Sequence, residues 1–248
     1  MEKKDLILGK NALKEAIAAE INIQKIFIAD TLESEDTKWL LKLARSQKIP
    51  ILRVPKFKLD KLSKQNHQGV IAFTSAIDFY QTSSVVDHVF SKGLNPCLCI
   101  CDGITDVRNF GAIGRSAEIF GIHGLVIGQK NSAPINSESI KASAGALLTL
   151  PVCREKNLIH CIGQLKTMGL VILCASEKAS KSIRELDLNK SVAFVLGSEG
   201  EGIHPEILNL ADELFKIPQT GTIESLNVSV AAGIIFYEWM MQNGGRGK

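Results

Sequence analysis

Short runs that are apolar at every position constrain the fold more than any other feature of the sequence. They occupy residues 98–101, 124–127, 170–174 and 192–196. A strand that is apolar on both faces is typical of a parallel sheet that helices cover on both sides. Segments with helical spacing lie between these runs. The sequence therefore predicts an α/β fold with a parallel sheet over residues 95–248.

Residues 1–76 alternate between helix and strand patterns of their own and predict a small N-terminal α/β domain. The expected helices are 11–20, 37–47 and 57–63, and the expected strands are 23–29, 49–54 and 69–75. Residues 77–94 are mixed and polar, and we expect a linker there. In the second domain, a helix is expected at 108–120, ending at Gly121. A last helix, at 225–241, is apolar on almost every side and should lie in the core or in a subunit interface.

Apolar length and cysteine spacing exclude two classes of protein. No apolar stretch approaches the ~20 residues that span a bilayer, and no long apolar segment follows the charged start. We therefore expect no membrane association and a cytoplasmic location. Cys97, Cys99 and Cys101 alternate, so on a strand they would be roughly 6.7 Å apart, too far for one zinc ion. We interpret them as buried small apolar residues and predict no metal site.

Basic residues are concentrated near the start of the chain, although the net charge is only +3. Residues 1–76 carry 14 Lys and Arg against 9 Asp and Glu. Within 38–64, nine basic residues accompany a single acid, Asp60. The nine are Lys38, Lys42, Arg45, Lys48, Arg53, Lys56, Lys58, Lys61 and Lys64. A solvated face and a phosphate-binding patch explain this cluster equally well.

Three polar segments in the second domain follow predicted strands or begin predicted helices, and together they predict one site. They are Asn109-Phe110-Gly111 with Arg115, then Gly197-Ser-Glu-Gly-Glu-Gly202, then Ile217-Pro218 followed by Ser225-Leu-Asn-Val-Ser229. If the segments converge, they supply one arginine, carboxylates, and small hydroxyl and amide groups. That set suits a hydroxyl nucleophile beside a small cofactor. Asn109, and Ser225 or Asn227, can alternatively serve as simple helix caps.

The glycine-rich segment 197–202 excludes two kinds of nucleotide site. It follows a strand, as a phosphate loop does. However, Glu199 and Glu201 would repel phosphate, and no Lys-Ser/Thr follows. Binding of a nucleoside triphosphate and a nicotinamide-dependent Rossmann enzyme are therefore excluded. The loop better suits a cofactor with ribose hydroxyls, an amino group or a positive centre.

The three segments closely resemble the motifs of the SpoU (TrmH) family of RNA ribose 2′-O-methyltransferases, at residues 109–121, 194–202 and 217–231. Within the family, the chain is most similar to bacterial enzymes that methylate a guanosine ribose in large-subunit ribosomal RNA. Residues 8–13 and 67–70 resemble the start and end of their RNA-binding domain. The resemblance implies a SPOUT-type sheet with a deep trefoil knot, S-adenosylmethionine as cofactor, RNA as partner and a homodimer with sites beside its interface.

The resemblance also assigns roles to residues. Main-chain groups at Gly197, Ile217 and Leu226 would hold the cofactor, with Ser176 as a further contact. Arg115 matches the arginine that activates the ribose hydroxyl. Because arginine is always charged, we expect it to stabilise the forming alkoxide instead of removing a proton. The residues expected to orient the arginine, the cofactor or the target phosphate are Asn109, Glu199, Ser225 and Asn227. His67 is a turn residue by default and an RNA contact by resemblance.

The sequence thus predicts transfer of a methyl group from S-adenosylmethionine to a ribose 2′-hydroxyl of RNA. The added N-terminal domain favours a guanosine of ribosomal RNA over transfer RNA, but only by resemblance. A second hypothesis is a non-catalytic RNA-binding module for ribosome assembly. The intact motifs argue against it, and cofactor binding would distinguish the two.

Overall fold

The computed structural model describes residues 6–19, 21–32, 35–46, 49–223 and 225–244. Contacts divide the chain into two compact units. Unit 1 comprises Met1–Asp78 and Pro134–Ser137, and unit 2 comprises Phe79–Ala133 and Glu138–Lys248.

Unit 1 is built on a four-stranded sheet with the order β1-β4-β2-β3. Its strands are β1 (Leu6–Leu8), β2 (Ile23–Ala29), β3 (Ile51–Val54) and β4 (Val70–Thr74), and its helices are α1 (Lys10–Ala18), α2 (Glu35–Ser46) and α3 (Lys56–Leu62). Strand β4 pairs antiparallel with β1 and β2, while β2 and β3 are parallel. All these elements except β1 were predicted, with bounds that differ by at most a few residues.

The two faces of this sheet are covered by different helices. Successive side chains of a strand point to opposite faces. Accordingly, Ile26 and Ile28 of β2 pack with Leu40 of α2 on one face. Phe27, between them, packs with Leu59 of α3 on the other. Helices α2 and α3 therefore lie on opposite sides of unit 1.

This arrangement divides the basic cluster of residues 38–64. Its lysines on α2 face one side of unit 1, and its lysines on α3 face the other. The two groups are Lys38 and Lys42 on α2, and Lys56, Lys58 and Lys61 on α3. Lys48 and the side chain of Arg45 lie outside the described residues. Any phosphate-binding surface must therefore use one group or the other, not the whole segment.

Unit 2 contains a seven-stranded sheet in which every pair of neighbouring strands is parallel, as predicted. Its order is β7-β6-β5-β10-β8-β11-β9. The strands are β5 (Cys97–Cys101), β6 (Gly124–Gly128), β7 (Val152–Glu155), β8 (Val171–Ala175), β9 (Lys181–Ser182), β10 (Val192–Leu196) and β11 (Glu213–Lys216). The central strands β5 and β10 are neighbours in the sheet, although they are almost 100 residues apart in the sequence.

Helices cover both faces of the parallel sheet. They are α4 (Thr82–Ser91), α5 (Val107–Ile119), α6 (Ser137–Ala142), α7 (Leu158–Thr167), α8 (Pro205–Leu208) and α9 (Val228–Gln242). Helices α4, α7 and α8 pack on the face that carries Val126. Helix α5 lies against Leu125 on the other face and packs along α9. It ends one residue before Phe120, and Gly121 follows with φ 76°, as expected of a glycine that terminates a helix.

Strand β5 places the alternating cysteines in the middle of the sheet. Cys97, Cys99 and Cys101 are at most 1% exposed, and the other three cysteines are buried as well. The Sγ atoms of Cys99 and Cys101 are 4.0 Å apart, closer than the spacing of roughly 6.7 Å expected from strand geometry. The prediction that these residues are buried is confirmed, and they fill the core as small apolar side chains do.

Helix α9 has one buried side and one apolar side that is partly exposed in the single chain. Ile235 and Phe236 are fully buried. Along the opposite side, four apolar residues are 38–51% exposed: Val230, Ile234, Tyr237 and Met241. Among the helices of the described residues, none is long and apolar enough to cross a membrane.

Candidate active site

The three polar segments of unit 2 meet in one hydrogen-bonded network. Asn109 Nδ2 donates to Glu199 Oε1 at 2.8 Å. Asn227 Nδ2 donates to the same oxygen at 2.7 Å and lies 3.0 Å from Asn109 Oδ1. Each residue comes from a different segment, and Asn109 and Asn227 are 118 positions apart. The fold therefore assembles one polar site from all three.

Capping chemistry leaves both asparagine amides available for this network. Asp106, not Asn109, caps α5, because its carboxylate accepts hydrogen bonds from the backbone N–H groups of Arg108 and Asn109. The alternative that Asn109 serves as this cap is therefore wrong, and its side chain is free to reach Glu199. Asn227 caps α9 with its Oδ1, which accepts from the N–H of Ser229 at 2.9 Å. Its Nδ2 still points to Glu199.

Glu199 is the charged centre of the network. A single oxygen of its carboxylate accepts from two amide groups, and hydrogen bonds to an ionised acceptor are stronger than neutral ones. The loop after β10 is thereby tied to the start of α5 and to the start of α9. Loss of this carboxylate should release both asparagines at once.

A cavity of about 280 Å³ lies beside the network, near the lower end of the range for small-molecule sites, roughly 300–1,000 Å³. It opens where β8, β10 and β11 end, the edge at which parallel sheets bind ligands. The four residues expected to hold a cofactor all line it, namely Ser176, Gly197, Ile217 and Leu226. Glu199 and Ser225 line it too.

The loop over this cavity folds back tightly on itself. Ser198 N donates to Gly202 O at 3.1 Å, and Gly202 N donates to Ser198 O at 3.0 Å. A Cβ on Gly197 would lie 2.2 Å from the carbonyl carbon of Gly202, closer than real Cβ atoms come. Only glycine fits at this position, because the backbone of Gly202 fills the space that a side chain would need.

The charges around the cavity favour a cationic or hydroxyl-rich ligand over a phosphate. Three carboxylates line it, from Glu177, Glu199 and Glu201, against the ammonium groups of Lys178 and Lys216. Carboxylates accept hydrogen bonds from amino and hydroxyl groups and attract positive charge. This distribution agrees with the exclusion of a phosphate loop from the sequence.

A second cleft lies on the other side of the glycine-rich loop. It is lined by Gly103, Thr105, Asp106 and Asn109 and shares residues 198–200 and Val228 with the cavity. Glu199 therefore contributes to the wall between two adjoining spaces. Such a wall allows two ligands to approach each other beside the same carboxylate.

Arg115 is not part of the assembled site in the single chain. It lies six residues beyond Asn109 on α5, which places it about 9 Å further along the axis and roughly 120° around it. Its side chain is exposed, and within the described part of the chain it has no hydrogen-bond or ion-pair partner. Ile119, one turn later on the same side of α5, is 59% exposed.

Sequence reasoning missed several residues that the structure brings to these surfaces. Asp106 was not predicted as a helix cap, although an Asp just before an apolar helical pattern is a recognised start signal. Gly103 and Thr105 carried no signal. In unit 1, Lys25 joins the α3 side, where its Nζ is 5.0 Å from the centre of the Phe73 ring. Burial, and to a lesser degree the charge of Lys58, lower the pKa of Lys25.

The two N-terminal segments singled out in the sequence also meet in space. Gly9 N donates to Val70 O at 2.9 Å. His67 is only 5% exposed and hydrogen bonds to Asp60 and to the backbone of Gly69. Its imidazole therefore has a structural position in a turn, and contact between His67 and RNA stays a prediction.

The fold and site define an α/β protein that binds a small ligand at the carboxyl edge of a parallel sheet. Two family profiles identify the chain more closely. The SpoU rRNA Methylase family matches residues 96–237. A profile described as RNA 2′-O ribose methyltransferase substrate binding matches residues 6–80. The chain belongs to the SpoU rRNA Methylase family and is thus an RNA methyltransferase.

Known proteins resemble the chain over almost its whole length. The TrmH family protein YacO of Bacillus subtilis, named as a tRNA/rRNA methyltransferase, is 32% identical over 237 residues, which are 96% of this chain and 95% of YacO. A TrmH family relative from Staphylococcus saprophyticus is 36% identical over 94% of both chains. The SpoU methyltransferase AviRb of Streptomyces viridochromogenes, solved with the cofactor AdoMet, superposes with a TM-score of 0.58 at 21% identity, covering 96% of this chain and 89% of AviRb.

Proposed function

We propose that this protein transfers a methyl group from S-adenosylmethionine to a ribose 2′-hydroxyl of RNA. The observation that carries the proposal is the network of Asn109, Glu199 and Asn227, because it joins three motifs at the wall between a cofactor-sized cavity and a second cleft. Residues 1–76 would capture RNA and residues 95–248 would carry out methyl transfer. The expected linker 77–94 instead contains α4, which packs on the sheet of unit 2.

The cavity fits S-adenosylmethionine, which supplies a methyl group attached to a positively charged sulfur. The missing side chain at Gly197 lets the loop 197–202 close on itself and form one wall of the cavity. The backbone at Ile217 and Leu226 and the side of Ser176 complete the lining. The surrounding carboxylates suit ribose hydroxyls, an amino group and a sulfonium charge. We therefore assign cofactor binding to these four residues.

The second cleft is our candidate for the target ribose. A 2′-hydroxyl is a poor nucleophile at neutral pH because its proton is tightly held, so negative charge developing on the oxygen must be stabilised. A permanently charged arginine can do this, and we assign that role to Arg115. Asn109, Glu199, Ser225 and Asn227 would orient the reacting groups.

Arg115 requires a second copy of the chain for this role. Within one protomer it points away from Asn109, beside the contact between α5 and α9. The neighbouring surface is apolar and uncovered, with Ile119 on α5 and the exposed side of α9. Covering this surface in a homodimer would bury apolar area. We propose that the partner's Arg115 reaches the cleft of the first protomer.

The preferred substrate is a guanosine in large-subunit ribosomal RNA. A transfer RNA is the second candidate, because the names of the relatives include both RNA classes. The alternative function from the sequence, a non-catalytic RNA-binding module for ribosome assembly, would have no methylation substrate. The trefoil knot in unit 2 and the cytoplasmic location implied by the sequence remain part of the proposal.

The proposal is tested by incubating the protein with methyl-labelled S-adenosylmethionine and, separately, ribosomal and transfer RNA. We expect label in RNA that survives alkali as a dinucleotide, since a 2′-O-methyl group blocks cleavage of the adjacent phosphodiester. Label on a base would refute ribose methylation. Binding of RNA without cofactor binding would favour the assembly module.

A further inference from the structure

A cavity of about 490 Å³ lies at one end of the sheet in unit 1, and the reaction proposed above does not use it. Its walls come from the end of β2 (Ala29), the following turn (Thr31 and Leu32), helix α3 (Lys56 and Asp60) and the loop 64–69. We propose that this cavity binds one unpaired nucleotide of the RNA substrate, with lysines on its phosphate and side-chain amides on its base. The inference rests on the proposed RNA substrate.

The loop that forms one wall is fixed from within by His67. Its Nδ1 accepts a hydrogen bond from the N–H of Gly69 at 3.1 Å, so a neutral ring carries its proton on Nε2. That nitrogen lies 2.9 Å from Asp60 Oδ1 on α3. His67 is 5% exposed and therefore acts as a buried clamp between the helix and the loop.

The backbone beyond the clamp adopts a tight turn. Val70 N donates to His67 O at 2.8 Å, and the two residues between them have positive φ, 50° at Gln68 and 76° at Gly69. Two central residues with positive φ define a type I′ turn. A positive φ is unusual at a residue other than glycine, such as Gln68. The wall is thus set before any ligand arrives, which reduces the entropic cost of binding.

The free charge in the cavity is positive. Lys56 and Lys64 line it, and neither forms an ion pair with any residue in the described ranges. The single lining carboxylate, Asp60, is engaged by His67. This is the reverse of the cavity in unit 2, where carboxylates predominate. Two ammonium groups with no acidic partner suit a phosphate.

Beside the lysines, the lining offers groups that can recognise a base. Gln65, Asn66 and Gln68 carry amides, which both donate and accept hydrogen bonds. Leu32 supplies an apolar surface for the flat side of a ring. Bases show their pairing edges only when they are unpaired, and proteins read RNA sequence mainly at such nucleotides. A paired strand could not insert a base here.

The test uses the full chain and measures affinity by fluorescence anisotropy for a labelled single-stranded RNA and for the same RNA annealed to its complement. The pocket variants are Lys64→Ala and Gln65→Leu. The matched control is Lys42→Ala, which removes one charge from α2 on the opposite side of unit 1. Thermal unfolding confirms that each variant is folded.

Each pocket variant should bind the single strand roughly tenfold more weakly, the cost of one lost base or phosphate contact. Lys42→Ala should weaken single-strand binding about twofold at most. The duplex cannot enter the pocket, so Lys64→Ala and Lys42→Ala should weaken duplex binding equally, each by the loss of one long-range attraction. Equal losses for Lys64→Ala and Lys42→Ala on the single strand would overturn the inference. So would normal single-strand binding by Gln65→Leu.

A free nucleotide is the other source of the same chemistry. Guanosine and adenosine 5′-monophosphate are therefore added as competitors. If the monophosphates compete weakly with RNA and Lys64→Ala abolishes this competition, the ligand is one nucleotide of an RNA strand. If a monophosphate binds as tightly as the RNA, the inference that the pocket serves an RNA strand is overturned. Methyl transfer is assayed separately. Pocket-dependent binding without transfer would refute the proposed function alone, and transfer with pocket-independent binding would refute this inference alone.

Discussion

The proposed position of Arg115 can be tested by pairing two inactive protomers. One carries Arg115→Ala and keeps its own network, and the other carries Glu199→Ala and keeps its arginine. If Arg115 acts across the interface, the mixed dimer contains one complete site, formed by the first protomer's Glu199 and the second protomer's Arg115. If Arg115 acts within its own protomer, neither site is complete.

The structure sets the size of the expected signal. Arg115→Ala should slow methyl transfer on the order of 10²-fold, the usual cost of losing a group that stabilises charge in the transition state. Glu199→Ala removes the acceptor of two amide hydrogen bonds, at 2.8 and 2.7 Å. If the loss of each hydrogen bond slows methyl transfer about tenfold, the two losses together also slow it on the order of 10²-fold. The mixed dimer should recover about half of the parent activity, because one of two sites is intact.

The assay uses two affinity tags so that only mixed dimers are purified, followed by incorporation of labelled methyl groups into RNA. Each variant dimer is measured alone as the background. Cofactor binding by Arg115→Ala should equal that of the parent, since the arginine does not line the cavity. Activity of the mixed dimer no higher than background would refute action across the interface. An active, folded Arg115→Ala dimer would refute any role in catalysis.

Three further substitutions test other parts of the structure. Gly197→Ala should abolish S-adenosylmethionine binding in calorimetric titrations, because its Cβ would lie 2.2 Å from a backbone carbon of the same loop. Gly200→Ala, whose Cβ meets no atom within 4 Å, should bind normally, and equal binding by both would contradict the tight loop. Asn227→Ala should lower the free energy of unfolding in urea by about 1 kcal/mol through loss of the helix cap, whereas Asn227→Ser should retain the cap and lose less. Lys58→Ala should weaken RNA binding and reduce the slope of log affinity against log salt by about one, while Lys42→Ala on the opposite side should not; identical slopes would argue against RNA docking on the α3 side.

Apolar periodicity sufficed to predict elements whose residues are uniformly buried. Strand β10 was predicted with the observed bounds because all five of its residues are apolar and buried. Helix α4 spans Thr82–Ser91, within the stretch 77–94 where a polar linker was expected. Its buried valines are Val85, Val86 and Val89, with exposed Asp87 and His88 between the last two, and the polar run at its start concealed the helix.

Helix ends depend on single hydrogen bonds and were predicted less well. The last helix was expected from residue 225, yet it begins at Val228, because the Asn227 side chain accepts from the backbone N–H groups of Ser229 and Val230. For α5, Asn109 was considered as the cap, but the helix begins at Val107 and Asp106 caps it. Both residue types are good caps, and the geometry of the preceding turn decides between them.

Contacts between distant segments could not be derived from local patterns. The motifs indicated that Asn109, Glu199 and Asn227 belong together, but their shared hydrogen bonds depend on the strand order of the sheet. The separation of Arg115 from them follows from its position around α5. The basic cluster shows the converse case. Its residues are close in sequence, but those on α2 and those on α3 lie on opposite faces of the sheet in unit 1 and do not form one patch.

Burial makes the native thiols unreactive towards alkylating reagents. It raises the pKa of Cys153, Cys161 and Cys174 to about 12, so roughly one such thiol in 10⁵ is ionised at pH 7. Maleimide reagents need the thiolate and access to it, and all six cysteines are buried. A fluorophore could therefore be attached to one cysteine introduced at the surface, for example by Lys42→Cys, without first replacing the natural ones.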